Sequence, residues 1–430
     1  MAKASTSRHC PWLPAMVVLL TGVLMVPSAW GQEGPSASIS YEGESTDNVR
    51  RSSDDTRDDF IHQPALNLGY RKSFNRAEIG TAYRLEARRY ARDTFQSDEV
   101  ITGRSDMDVA LIPGRLQWLT DHVRSETLLD RRTVDRPDNR RESDTVGTGV
   151  TAQFGASGPN QFTARARTEH FRSNRGFDDS LRYLGSVAYQ RRMSPVTTVG
   201  LTANASRIDF DDGRVPDFDR LTGQFTFDRQ LRTLAVGGAI GYSDLRRDGQ
   251  SNRGGLSLAA DVSWEPATGH VFSLSGSREF TDRTQATNRG IAGFGDVRDQ
   301  GTSDGEAFLQ TLAEIGYRYS SERWTLNARA EVTDEDFDQS SSDQRNHELG
   351  LRLGFRLTRA VSLDLNVRGA ERDFQDRTDE DFSADGRLNW RFGTRTTLRF
   401  GAGYERRDSD VMGRSFSQRR AFVGVTYRLL

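Results

Sequence analysis

The chain has 430 residues, of which 35% are hydrophobic and 28% charged, and a formal net charge of −2. A soluble protein this polar would struggle to fill a large core, and so even a balance of charge excludes a globally basic nucleic-acid binder. Of the 59 basic residues only Lys3 and Lys72 are lysines, so the positive charge is almost entirely guanidinium: permanent, and able to grip carboxylates or phosphates with two donors at once.

The first element reads as an export signal. Lys3 and Arg8 precede the apolar run AMVVLLTGVLMV at 15–26, and SAWG at 28–31 supplies small residues for cleavage. Cleavage is expected after Gly31, which makes 1–31 a signal peptide and 32–430 the mature domain. Cys10, the one cysteine, leaves with the signal, so the mature chain has no disulfide. Losing Lys3 and Arg8 leaves 57 basic residues against 61 acidic, a net charge of −4. Beyond residue 31 no apolar run approaches 18 residues, so no transmembrane helix is expected.

The mature chain alternates apolar and polar residues almost throughout. A first strand is expected near 36–44. EIGTAYRLEA (78–87) sets Ile79, Thr81, Tyr83 and Leu85 against Arg84 and Glu86. QFTARARTE (161–169) sets Phe162, Ala164 and Ala166 against Arg165, Arg167 and Glu169. GLSLAADVSW (255–264) offers Leu256, Leu258, Ala260, Val262 and Trp264. RWTLNARAEVT (323–333) and ELGLRLGFRLTRAVSLDLNVRG (348–369) repeat the pattern with Arg329, Glu331, Arg352, Asp364 and Arg368 on the polar rows. LNWRFGTRTTLRFGAGY (388–404) does so with Arg391 and Arg399, and a last strand is expected at 416–430.

Short turns are expected near Asn75, Pro113-Gly114, Gly158-Pro159, Ser194-Pro195, Leu231, Ala267, Ser321, Arg359 and Gly393. The opposite connections are longer and polar: 47–59, 129–144, 210–219, 333–346, 373–382 and 406–415. Short turns at one end and long polar loops at the other are the asymmetry of outer-membrane barrels. The expected fold is therefore all-β: a transmembrane, antiparallel, up-and-down β-barrel of 18–20 strands with no free edge.

Closure is what permits strands to lie in lipid, where an unpaired peptide edge is not tolerated. An arginine at the lipid midplane costs about 2–4 kcal/mol, so the charged rows should face a wet lumen. The expected lumen-lining residues are Arg84, Glu86, Arg165, Arg167, Glu169, Arg329, Glu331, Arg352, Asp364, Arg368, Arg391 and Arg399. The competing reading is a soluble β-sandwich or barrel with the apolar face as core and these charges outside; so many long consecutive hairpins would then need two or more domains, and no linker divides them. Trp118, Trp264, Trp324, Trp390, Tyr83, Tyr242, Tyr317, Tyr404 and Tyr427 suit interfacial girdles. VGVTYRLL (423–430) resembles a signal for the barrel-assembly machinery, with Leu in place of the usual terminal aromatic. The longest loop, 281–306, carries Ile291 and Phe294 among polar residues; folded into the lumen they are candidate constriction residues, and the alternative is an external loop.

Catalytic and metal chemistry has no evident seat. His62, His122, His170, His270 and His347 are scattered without metal-ligand spacing. TDEDFD (333–338) lacks the glycine and terminal glutamate of a calcium loop. No glycine pattern cradles a phosphate. No cofactor and no enzymatic activity are expected.

EGESTDNVRRS (42–52) and DDFIHQPALNLGYRKSFNRAEIGTAYRLEARRY (58–90) resemble the start of the Putative beta-barrel porin 2 family. Members of that family are associated with exopolysaccharide biosynthesis and export. The resemblance implies an outer-membrane conduit of such a secretion system in a Gram-negative bacterium. It implies a polysaccharide substrate, outer-membrane lipid and lipopolysaccharide around the barrel, and a periplasmic polysaccharide export protein as partner. A general diffusion porin for small hydrophilic solutes and a structural or adhesive surface protein are the alternatives.

Overall fold

The computed structural model describes residues 33–130, 132–176, 179–213, 215–282, 307–337 and 343–430. The expected signal peptide and the candidate constriction residues Ile291 and Phe294 lie outside these. The described residues form one sheet of twenty antiparallel strands in which each strand pairs with its neighbours in the chain. β1 (Gly34–Thr46) pairs with β20 (Phe416–Arg428) from Ser38 opposite Arg428 to Thr46 opposite Arg420, which closes the ring. A sandwich is thereby excluded, and the strand count settles at the upper of the two expected values.

Alternation of side chains makes this sequence prefer strands. A period of two places every second residue on one face, and here the two rows differ in chemistry over whole strands. The strands run from 13 residues in β1 to 16 in β18 (Arg377–Phe392), longer than the 9–11 that a tilted strand needs to cross a bilayer. At one end the connections have two to five residues, and all nine expected turns fall in or beside them. β1 starts at this end and β20 finishes at it.

The other end corrects the expected loop boundaries. Region 373–382 is mostly strand: β17 (Val361–Phe374) and β18 are joined by residues 375–376 alone. β15 (Trp324–Asp336) and β19 (Thr396–Ser409) likewise continue through segments expected as loop. The cause is visible on β17, where the outward row Val361, Leu363, Leu365 and Val367 gives way to Glu371 and Asp373. Above the apolar band both rows become charged, and a charged strand end has the composition of a loop.

Large apolar side chains are concentrated on the outside. Leu201, Leu221, Ile240, Leu256, Ile315, Leu349 and Leu351 are exposed, as a band awaiting lipid must be. Trp264, Trp324, Trp390 and Tyr427 stand on the same face toward the short-turn end. Buried apolar clusters are small and sit at the loop end. One joins Val49, Ile61 and Tyr90, with Phe95 packed on it; the other joins Ile208, Phe210, Val215, Phe218, Leu245, Phe280, Ala307 and Leu309.

Candidate functional site: the lumen and its inturned hairpin

Register carries each expected lumen residue onto the face opposite the apolar band. Arg84 on β3 (Ala77–Tyr90) lies level with Asn67 of β2 (Asp59–Ser73). Its guanidinium donates to Glu86 at 2.6 Å and to the side chain of Asn67 at 3.2 Å. Glu86 also accepts from Arg88, which reaches Glu126 at 2.8 Å. On β7 (Asn160–Ser173), Arg165 lies between Thr151 and Ser186, and Arg167 pairs with Glu169 and with Asp121.

A second group centres on Glu348, a residue the sequence did not single out. It accepts from Arg329 at 2.9 Å and from Arg368 at 2.8 Å, and Glu314 and Glu331 stand 3.8 and 3.7 Å from Arg329. β14 (Ala307–Ser320), β15, β16 (Gln344–Arg356) and β17 thus share one charge network across four strands. Arg352 donates to Asn366, Asn366 to Asp385, and Asn389 to Asp364. Arg399 lies near Glu42 and Thr426. Arg391 is the outlier: it sits at the short-turn rim and donates to the carbonyl of Arg359.

The inner wall is not uniform. From β8 (Ser180–Ser194) to β13 (His270–Asp282) its middle rows are mostly small and neutral, with Ser186, Thr202, Asn204, Thr222, Gln224, Ser243, Ser257 and Ser275, and one row there carries the carboxylates Asp228 and Asp261. The charge networks occupy the remaining wall. This division is partly written in the rows between the apolar residues: the row that alternates with Leu256 to Trp264 is Gly255, Ser257, Ala259, Asp261 and Ser263, with one carboxylate among small neutral residues.

At the loop end, β13 leaves its neighbour. β12 (Arg253–Ala267) pairs with β13 only up to Leu258 opposite Arg278, whereas β13 and β14 (Ala307–Ser320) stay paired to Asp282 opposite Ala307. Beyond Arg278 this hairpin turns inward. Phe280 and Leu309 pack on Ile208, Phe218 and Leu245 from the inner faces of β9 (Thr197–Phe210), β10 (Phe218–Gln230) and β11 (Leu234–Arg247). Arg220 donates to the carbonyl of Phe280. Asp282 meets Arg182 of β8 at 2.9 Å. Asp282 and Ala307 are therefore anchored over the inner faces of β9 to β11.

Loops bridge the opposite side of the mouth. Arg51, from 47–58, contacts Asp135 at 3.3 Å and Glu405 at 2.9 Å. Burial opposes its charge, and Glu405 and Asp135 more than offset this, so its pKa stands above the ordinary arginine value. Arg132 reaches Asp376, and its carbonyl accepts from Arg377 and Arg414. On the outer face, Tyr83, His122 and Asp144 form a hydrogen-bonded chain of 2.5 and 3.0 Å at the upper edge of the apolar band. Among the described residues no group of three metal-ligating side chains forms a cluster.

Residues 309–429 match the family model Putative beta-barrel porin 2. The match covers β14 to β20, so the N-terminal residues that carry the resemblance in sequence lie outside it. No curated protein matches the sequence. Among solved structures, the chain is similar to the FrpB iron transporter of Neisseria meningitidis, F3-3 variant, with TM-score 0.51 and 11% identity over 92% of this chain and 81% of that one. It is also similar to the siderophore receptor PirA of Acinetobacter baumannii, with TM-score 0.50 and 6% identity over 93% and 81%. At such identities the likeness is one of fold: a closed antiparallel β-barrel of the kind these outer-membrane proteins form.

Proposed function

We propose that this barrel is the passive outer-membrane conduit of an exopolysaccharide secretion system, with its short turns in the periplasm and its loops outside. The observation that carries the reading is the inner surface itself. Polar groups line both walls, so a hydrated chain meets hydrogen-bonding partners along its path, while most arginines there are engaged by carboxylates. Conduction needs contacts weak enough to release, and prepaired charges hold a passing solute less tightly than free ones. The periplasmic turns offer the face for an export protein, and the last strand, paired on both sides, is the element the assembly machinery would engage.

The test is export. A strain lacking the gene should lose surface polymer and regain it with the intact gene; normal secretion without the protein would overturn the reading. A second reading, a diffusion porin for small solutes, draws on the inturned β13–β14 end, which narrows the mouth. Liposomes carrying the barrel and challenged with sugars of graded size separate the two: a sharp cut-off at small sugars would favour the porin.

A further inference from the structure

On the inner face of β18, β19 and β20 three arginines surround three glycines. Register sets Arg387 opposite Gly401 and Gly401 opposite Phe422, with Arg399 opposite Gly424 one row below and Gly403 opposite Arg420 one row above. The glycines make space. A Cβ on Gly401 would stand 2.1 Å from the Cζ of Phe422, and one on Gly403 would stand 2.7 Å from the Nε of Arg420. Without them Phe422 and Arg420 lie flat along the wall, and the Arg387 guanidinium stacks 5.2 Å above the Phe422 ring. Stacking fixes the plane of that guanidinium and leaves its N–H edges unused.

These arginines are poorly neutralised. Elsewhere on the charged wall Arg167, Arg329 and Arg407 each grip a carboxylate within 3 Å. Here Arg399 has Glu42 only at 3.8 Å, with Thr426 as a weak partner at 3.3 Å. Among the described residues neither Arg387 nor Arg420 has an ion pair. The Nε atoms of Arg387 and Arg399 are buried with no hydrogen-bond partner. The carboxylates in the same and adjoining rows are Asp364 of β17, which lies opposite Arg387 and is engaged by Asn389, Glu42 and Glu44 of β1, Glu405 of β19, engaged by Arg51, and Asp385 of β18, engaged by Asn366.

We propose that Arg387, Arg399 and Arg420 form an anion-recognition station in the lumen, and that the translocated polymer is polyanionic, bearing carboxylate, sulfate or phosphate-ester groups. The inference rests on the conduit reading and names its substrate class. A guanidinium fork receives such a group through two parallel charge-assisted hydrogen bonds. Glu42 beside Arg399 competes for the same donors and limits the residence of each group, which keeps the chain moving.

The test uses the full-length barrel in planar bilayers. The probes are an oligogalacturonate as polyanion and a maltodextrin of equal length as neutral control. The wild type should be blocked by the polyanion at a lower concentration than by the maltodextrin. The R387Q/R420Q variant should need about a hundredfold more polyanion, as expected for the loss of two charge-assisted hydrogen bonds, with maltodextrin block unchanged. R318Q, on β14, removes an arginine outside the station and should behave as wild type. Equal block by the two probes, or an R387Q/R420Q variant indistinguishable from wild type, overturns the inference and leaves the conduit reading standing. A barrel that passes no current overturns both. Titration of the detergent-solubilised protein with the polyanion repeats the comparison without conduction; binding unaffected by R387Q/R420Q would again contradict the station.

Discussion

Arg182 of β8 and Asp282 at the end of β13 meet at 2.9 Å, each 1% exposed, although four strands of the wall separate them. Two residues so far apart around a closed ring touch only if one of their strands leaves the wall and crosses the interior. This ion pair is the anchor of the inturned hairpin. D282N leaves the Arg182 charge buried without a counter-charge, a change that costs about 3–5 kcal/mol in comparable buried pairs. The cost falls on the hairpin end. Amide exchange of residues 278–282 and 307–311 should accelerate, with β16 and β17 unaffected, and mean single-channel conductance should rise. Unchanged exchange at both segments would show that the pair does not hold the hairpin.

Glu348 is the shared acceptor of Arg329 and Arg368. E348Q keeps the shape and removes the charge, leaving two guanidiniums to face each other. Hydrogen bonds to charged groups contribute about 1.5–3 kcal/mol each, so the thermal transition of the variant should fall. Its reversal potential in a salt gradient should also move toward anion preference. A shift toward cations would contradict the placement of this network on the conducting surface.

The mouth bridges should resist mild acid. At Asp376 some loss of water raises the carboxyl, and Arg132 with Arg377 outweighs it, so the group titrates below its ordinary 3.8. A depressed carboxylate contributes its stabilisation above the ordinary value and loses it as pH falls through the lowered one. Spin labels at Asp138 and Glu380 should therefore report a constant distance between pH 8 and about pH 5, with broadening only below the ordinary aspartate range. Broadening near pH 6 would mean that a different group controls the bridge.

Much of the fold is legible in the residues, because a closed barrel is a local code repeated. In β16 the row Leu349, Leu351, Leu353 and Phe355 announces one face, and the row Glu348, Gly350, Arg352 and Gly354 announces the other. What stays hidden depends on where strands stop obeying the wall. Phe280 follows the outward parity of Phe272 and Leu274 yet is buried inside, because β13 parts from β12 above Arg278. No periodicity marks that separation. The role of Glu348 is hidden for another reason: its two arginines come from strands on either side, and alternation gives the face of a residue without its register.

The direction of the two rows decides where a new charge is tolerated. A charge placed on the lipid face at the bilayer midplane costs about 2–4 kcal/mol, so L351R and L365R should fold into bilayers less stably by that amount, whereas N366R should not.

The most direct measurement is paramagnetic quenching of nitroxides at Leu351, Leu365, Glu348 and Asn366 in the reconstituted barrel. Labels at Leu351 and Leu365 should be reached by oxygen dissolved in the lipid and shielded from a water-soluble nickel chelate, with Glu348 and Asn366 showing the reverse. Nickel access at Leu351 and Leu365, or oxygen access confined to Glu348 and Asn366, would contradict the barrel as described.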